Sequence, residues 1–140
     1  MDATQEPRRG YAIAGAAVLG LGVLVEATRI VLNRPIPGMN ATADFVVSGA
    51  LCLLWSACAA ALVRRPKHGS VGMVSRVLAL AGPYSMLGHG AVTRIAGSTL
   101  GIGFIAAGLL LMFLTKRAWL GRQATTLDPG ASDEPSSAVR

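Results

Sequence analysis

This 140-residue chain is 52% hydrophobic and only 14% charged, where an average soluble domain carries about 25% charged residues. So much apolar chain cannot be hidden in a soluble core of this size, which argues against an ordinary water-soluble domain. The net charge of +6 is spread over the ends of apolar runs, without a basic face or interleaved aromatics, which argues against a nucleic-acid binder.

In chain order, residues 1–10 read as a polar cytoplasmic N-terminus, loose or lying on a membrane surface. Four apolar stretches then follow, at about 11–32, 43–63, 71–93 and 96–114. A helix rises about 1.5 Å per residue, so roughly 20 residues cross a hydrocarbon core of about 30 Å. The first stretch exceeds the apolar core of a signal peptide, roughly 7–15 residues, and ends in Glu26, Arg29 and Asn33 rather than a cleavage site. It is expected to stay in the mature chain. At 3-4 spacing, Ala12, Gly15, Leu19, Gly22, Glu26, Arg29 and Asn33 share one helix face, small at one end and polar at the other. That face should meet protein rather than lipid.

The connection 33–42 contains Arg34, Pro35, Ile36, Pro37 and Gly38, and its two prolines stop a helix. Asn40 or Thr42 would cap the second helix. There Cys52 and Cys58 stand about 600° apart around the helix, so they face different sides and cannot pair. Ser48, Cys52 and Ser56 share a face, and Trp55 lies mid-span, packed or lining a pocket. The short connection 64–70 holds Pro66 and Gly69 and predicts an antiparallel hairpin. In the third stretch Ser75, Ala79, Gly82, Met86, His89 and Thr93 form another small or polar stripe. Pro83 removes a bond to the Ala79 carbonyl and predicts a kink.

The next connection is expected at about Arg94 and Ile95, so the third and fourth stretches form a second hairpin. Gly97, Gly101 and Gly108 in the fourth stretch, with Gly15 and Gly22 in the first, are candidates for close helix packing. Residues 121–140 are rich in Ser, Thr, Asp, Pro and Ala without an apolar period, and they predict a disordered cytoplasmic tail.

The cations orient the chain. With four crossings, Arg8, Arg9, Arg64, Arg65, Lys67, Lys116, Arg117 and Arg122 fall on one side. Only Arg34 and Arg94, with Arg29 near the end of the first span, fall on the other. Lys and Arg are retained in the cytoplasm during insertion, so both termini are expected there. The same bias argues against a chain that inserts both ways up.

Three residues are candidates for chemistry. Glu26 is costly within a span, and Arg29 three residues on shares its side of the helix. The two read as a local ion pair, as a proton- or substrate-coupling site, or as a bridge to a partner subunit. His89, expected at similar depth on an inward face, reads as a hydrogen-bonded structural residue, a proton or ligand site, or a metal ligand. A metal needs further ligands, and no second histidine lies within the spans, His68 being in a connection across the membrane. No catalytic site, cofactor or metal is therefore expected, and an enzyme ranks last.

Gly22-Val23-Leu24-Val25-Glu26 and Gly101-Ile102-Gly103-Phe104-Ile105-Ala106-Ala107-Gly108 are similar in outline to segments of small multidrug resistance transporters. Those proteins have about four short spans and one membrane glutamate in the first. The resemblance implies proton-coupled efflux through Glu26. It is confined to these stretches: the family's glutamate lies deeper, and its aromatic-rich third span has no counterpart here. Membership is not assigned.

The expectation is an all-α, integral membrane four-helix bundle of two antiparallel transmembrane hairpins, one transmembrane domain over residues 11–120. Its expected setting is a cell membrane, cytoplasmic or bacterial inner, crossed several times. Its expected partners are the lipid bilayer and another membrane protein or a second copy. The leading function is a non-enzymatic accessory or assembly subunit of a larger membrane complex. The alternative is a small proton-coupled transporter or efflux protein with a cavity at Glu26 and His89.

Overall fold

The computed structural model describes residues 6–64 and 70–123. Among them the chain is all helical: α1 (Glu6–Val31), α2 (Ala41–Val63), α3 (Ser70–Ile95) and α4 (Leu100–Gln123). The expected features of the 64–70 connection and the C-terminal tail lie mostly outside the described residues. Three helices contain stretches long and apolar enough to cross a membrane: Arg9–Val31, Ala41–Val63 and Leu100–Ala118. α3 is not among them, contrary to the expectation of four such spans. It carries Arg76, Pro83, Tyr84, His89 and Arg94 among its apolar residues.

Each helix packs against the next, and α4 packs back against α1, so the four close into a ring. Short connections force successive helices to run antiparallel. The centre is filled by Leu19, Trp55, Cys58, Met86, Phe104 and Leu111, at least one from every helix. The outward faces carry Leu21, Leu24, Val46, Leu53, Val74, Val77, Ile102 and Leu109, all exposed. The polar side chains of Glu26, Arg29, Asp44, Ser48, His89 and Thr93 are turned inward, while many large apolar ones are turned outward. That is the arrangement a surrounding apolar solvent favours.

The ends differ from the expected boundaries. α1 begins at Glu6, so residues 6–10 are helical rather than loose, and α4 continues to Gln123. α1 ends with Asn33 at φ 52°. The Arg34 N–H donates to the Arg29 carbonyl and the Asn33 N–H to the Ile30 carbonyl, which closes the last turn. α3 ends in the same way around Gly97 at φ 88°, with Ser98 N–H on the Thr93 carbonyl and Gly97 N–H on the Arg94 carbonyl. The second turn therefore lies at 96–99 rather than 94–95. Gly97 is corrected from a helix-packing residue to a turn residue: a Cβ there would meet nothing within 4 Å. Its value is the left-handed backbone that other residues adopt at a cost.

The other candidate packing glycines sit at helix contacts. A Cβ at Gly15 would lie 3.3 Å from Leu62 and Leu111, and one at Gly22 would lie 2.6 Å from Met86. At Gly101 it would lie 2.6 Å from the Gly90 carbonyl oxygen, and at Gly108 2.8 Å from Leu87. α3 and α4 thus touch backbone to backbone at Gly90 and Gly101.

Candidate functional site

The candidate site lies at the end of the bundle that carries the α1–α2 and α3–α4 connections. Helical spacing builds it. Glu26 and Arg29 stand one turn apart on the inward stripe of α1. Asp44 occupies the first turn of α2, where Asn40 caps the helix by accepting from the Thr42 and Ala43 N–H groups. Ser48 stands one turn further along. His89 and Thr93 hold the corresponding depth on α3.

These side chains form one continuous network. His89 Nε2 lies 2.9 Å from Glu26 Oε1, bridging α3 and α1. The other oxygen of Glu26 accepts from Arg29 Nη2 at 2.8 Å and Nε at 3.2 Å. Arg29 then reaches α2, donating to both oxygens of Asp44 at 2.5 and 3.1 Å. It also donates to Ser48 Oγ and to the Arg34 carbonyl at 3.1 Å. Asp44 Oδ2 accepts in addition from the Ile36 N–H at 2.9 Å. The guanidinium is the hub because its planar fork can serve two carboxylates at once.

Burial is near complete. Glu26, Asp44 and Ser48 are at most 1% exposed, and Arg29 and His89 are 7% and 8% exposed. Ile36 is itself buried, so the 33–39 segment folds over the cluster. On the bundle side, aromatic rings wall off His89. Its ring centroid lies 5.9 Å from that of Trp55 and 5.0 Å from that of Phe104, both edge-on. Trp55 satisfies its own N–H on Ser85 Oγ at 3.0 Å, and Ser85 donates on to the Gly82 carbonyl. Thr93 donates back to the His89 carbonyl. Among the described residues the one buried side-chain polar atom without a partner is Thr115 Oγ1, in α4.

The structure thus brings together the three residues singled out in the sequence, Glu26, Arg29 and His89, and the local Glu26–Arg29 ion pair is present. Asp44 had not been singled out, although it is as deeply buried and completes the network. Of the Ser48, Cys52 and Ser56 face, only Ser48 joins the cluster. Cys52 donates weakly to the Val23 carbonyl, and the exposed Ser56 bonds the Cys52 carbonyl. Both cysteines are free thiols. Among the described residues no group of three or more His, Cys, Asp or Glu side chains could hold a metal ion.

Chemically, the arrangement stores opposite charges out of water and ties α1, α2 and α3 together. No protein family, curated protein or solved structure matches this chain.

Proposed function

We propose that this chain is a small polytopic integral membrane protein that crosses the bilayer four times. Both termini lie in the cytoplasm, and it serves as a non-enzymatic accessory or assembly subunit of a larger membrane complex. One observation carries this reading. The buried polar side chains of the cluster find their partners within the chain, leaving apolar outward faces as the surface offered to lipid and neighbouring proteins. α3 completes the fourth crossing because its His89 and Thr93 are turned inward, while Met73, Val74, Val77, Leu80 and Val92 are turned out. The cations at the 9, 64, 116 and 117 positions gather at the end opposite the cluster, which supports a cytoplasmic placement of that end.

Native mass spectrometry of a mild-detergent extract tests the role. A fixed partner in stoichiometric amount is expected. Purification of the chain alone, or only with copies of itself, overturns the accessory reading.

A second reading is favoured by the His89–Glu26 contact across the bundle. In it the same chain is a small proton-coupled transporter that uses this pair. Glu26→Gln would then abolish proton-coupled flux in proteoliposomes while the helical content stays intact. Flux that survives the substitution ends that reading.

A further inference from the structure

The cluster does not balance its charge without an extra proton. Glu26 and Asp44 each contribute one negative charge and Arg29 one positive. The groups that face His89 are Glu26 and Arg29 on α1, Asp44 beyond them on α2, and the uncharged rings of Trp55 on α2 and Phe104 on α4. With a neutral imidazole the four groups sum to −1; with an imidazolium they sum to zero. An uncompensated charge in a low-dielectric interior is strongly unfavourable. The cluster is nearly sealed, with the rings of Trp55 and Phe104 against His89 and the buried Ile36 bonded to Asp44.

The same network reaches the covering segment. Asp44 Oδ2 holds the Ile36 N–H, and Arg29 holds the Arg34 carbonyl. Arg29 is therefore shared between the Glu26–His89 pair and the segment 33–39.

We propose that the Glu26–His89 contact is a binding site for a single proton, and that its occupancy keeps the Ile36 segment seated over the cluster. With the proton bound, the cluster is neutral and closed. On its loss, two carboxylates compete for one guanidinium. The excess charge is relieved by water entering where Ile36 sits, and the segment lifts as pH rises. This deepens the second functional reading at the same site, and it is tested without any flux measurement, so the two can fail separately.

Trp55 supplies the reporter, because a protonated histidine in contact with an indole quenches its fluorescence. The protein carrying Trp119→Phe, in lipid nanodiscs, is titrated from about pH 5 to about pH 9. One step of increasing Trp55 emission is expected. It is absent in His89→Gln and displaced in Glu26→Gln. In parallel, a thiol placed by Ile36→Cys in a Cys52→Ser, Cys58→Ala background is reacted with a water-soluble maleimide. Its rate is normalised to Pro37→Cys, an exposed position in the same segment. The normalised rate should rise several-fold across the same pH interval. A flat titration of Trp55 with His89 intact overturns the proton site whatever the variants do. A clear fluorescence step with a constant normalised maleimide rate overturns the coupling to Ile36.

Discussion

At the level of single residues, the energetics turn on Arg29. It pairs with two buried carboxylates and also bonds a hydroxyl and a carbonyl. A buried ion pair adds little net stability over an apolar replacement, yet removing one partner costs about 3–5 kcal/mol because a charge is left uncompensated. Arg29→Met should therefore destabilise the folded bundle by about that amount in reversible detergent unfolding. The triple substitution Glu26→Gln, Arg29→Met, Asp44→Asn should recover much of the loss. Equal losses in the single and triple variants would show that packing, not charge, sets the effect. The Glu26–Arg29 pair was legible in the sequence, since i,i+3 spacing fixes it. The meeting of Glu26 with His89 was legible as two polar residues at like depth on inward stripes. Asp44 was not: near the start of a helix an acidic residue has an ordinary local explanation in the exposed N–H groups there. Its four-residue spacing to Ser48 was the available signal that it points inward.

At the level of elements, the helices owe their contacts to where side chains are missing. Gly101 faces Gly90 so closely that a methyl group would lie 2.5 Å from the Arg94 nitrogen. Gly103, two residues on, has open space. Gly101→Ala should force α3 and α4 apart and lower stability by about 1–3 kcal/mol, the usual range for overpacking. Gly103→Ala should change it by no more than about 0.5 kcal/mol. Equal effects in unfolding titrations of the two variants would contradict the α3–α4 register. Sequence spacing identified the stripes of α1 and α3 well, because one face of a helix repeats reliably. It failed at Gly97, because a small-residue motif looks alike whether its first glycine packs a helix or turns the chain. Two closing hydrogen bonds and a positive φ decide the matter, and neither is visible in residue spacing. The ends of α1 and α4 were placed too far inward for a related reason. Hydropathy marks where apolar residues stop, whereas a helix continues through polar residues while its backbone bonds continue.

At the level of the whole molecule, the fold has its apolar side chains on both the inside and the outside. Polar groups are concentrated in one sealed cluster and at the ends. In water the exposed Leu, Val, Ile and Phe side chains would form a continuous apolar surface far beyond what a soluble monomer tolerates. In hydrocarbon the same surface is matched to its solvent, and helices satisfy their own backbone groups. On the proposed reading, the distribution of cations sets direction. Arg9, Arg64, Lys116 and Arg117 lie at one end, and at the other the buried Arg29 is already neutralised by Glu26 and Asp44. The all-helical fold and its apolar outer surface were legible from composition and run length. Residues 71–93 were expected to form a fourth apolar span, but α3 falls short of the apolarity of the other three helices, because Arg76, Pro83, Tyr84, His89 and Arg94 lower its average hydropathy.

The most direct test of this account is a topology measurement with paired reporters in cells. A fluorescent protein that matures only in the cytoplasm is fused after Arg140, and a phosphatase active only outside the cytoplasm is inserted after Pro37. Four crossings with cytoplasmic termini predict bright fluorescence from the first fusion and strong phosphatase activity from the second, both in the membrane fraction. A dark terminal fusion, an inactive phosphatase at Pro37, or a chain recovered in the soluble fraction would contradict it.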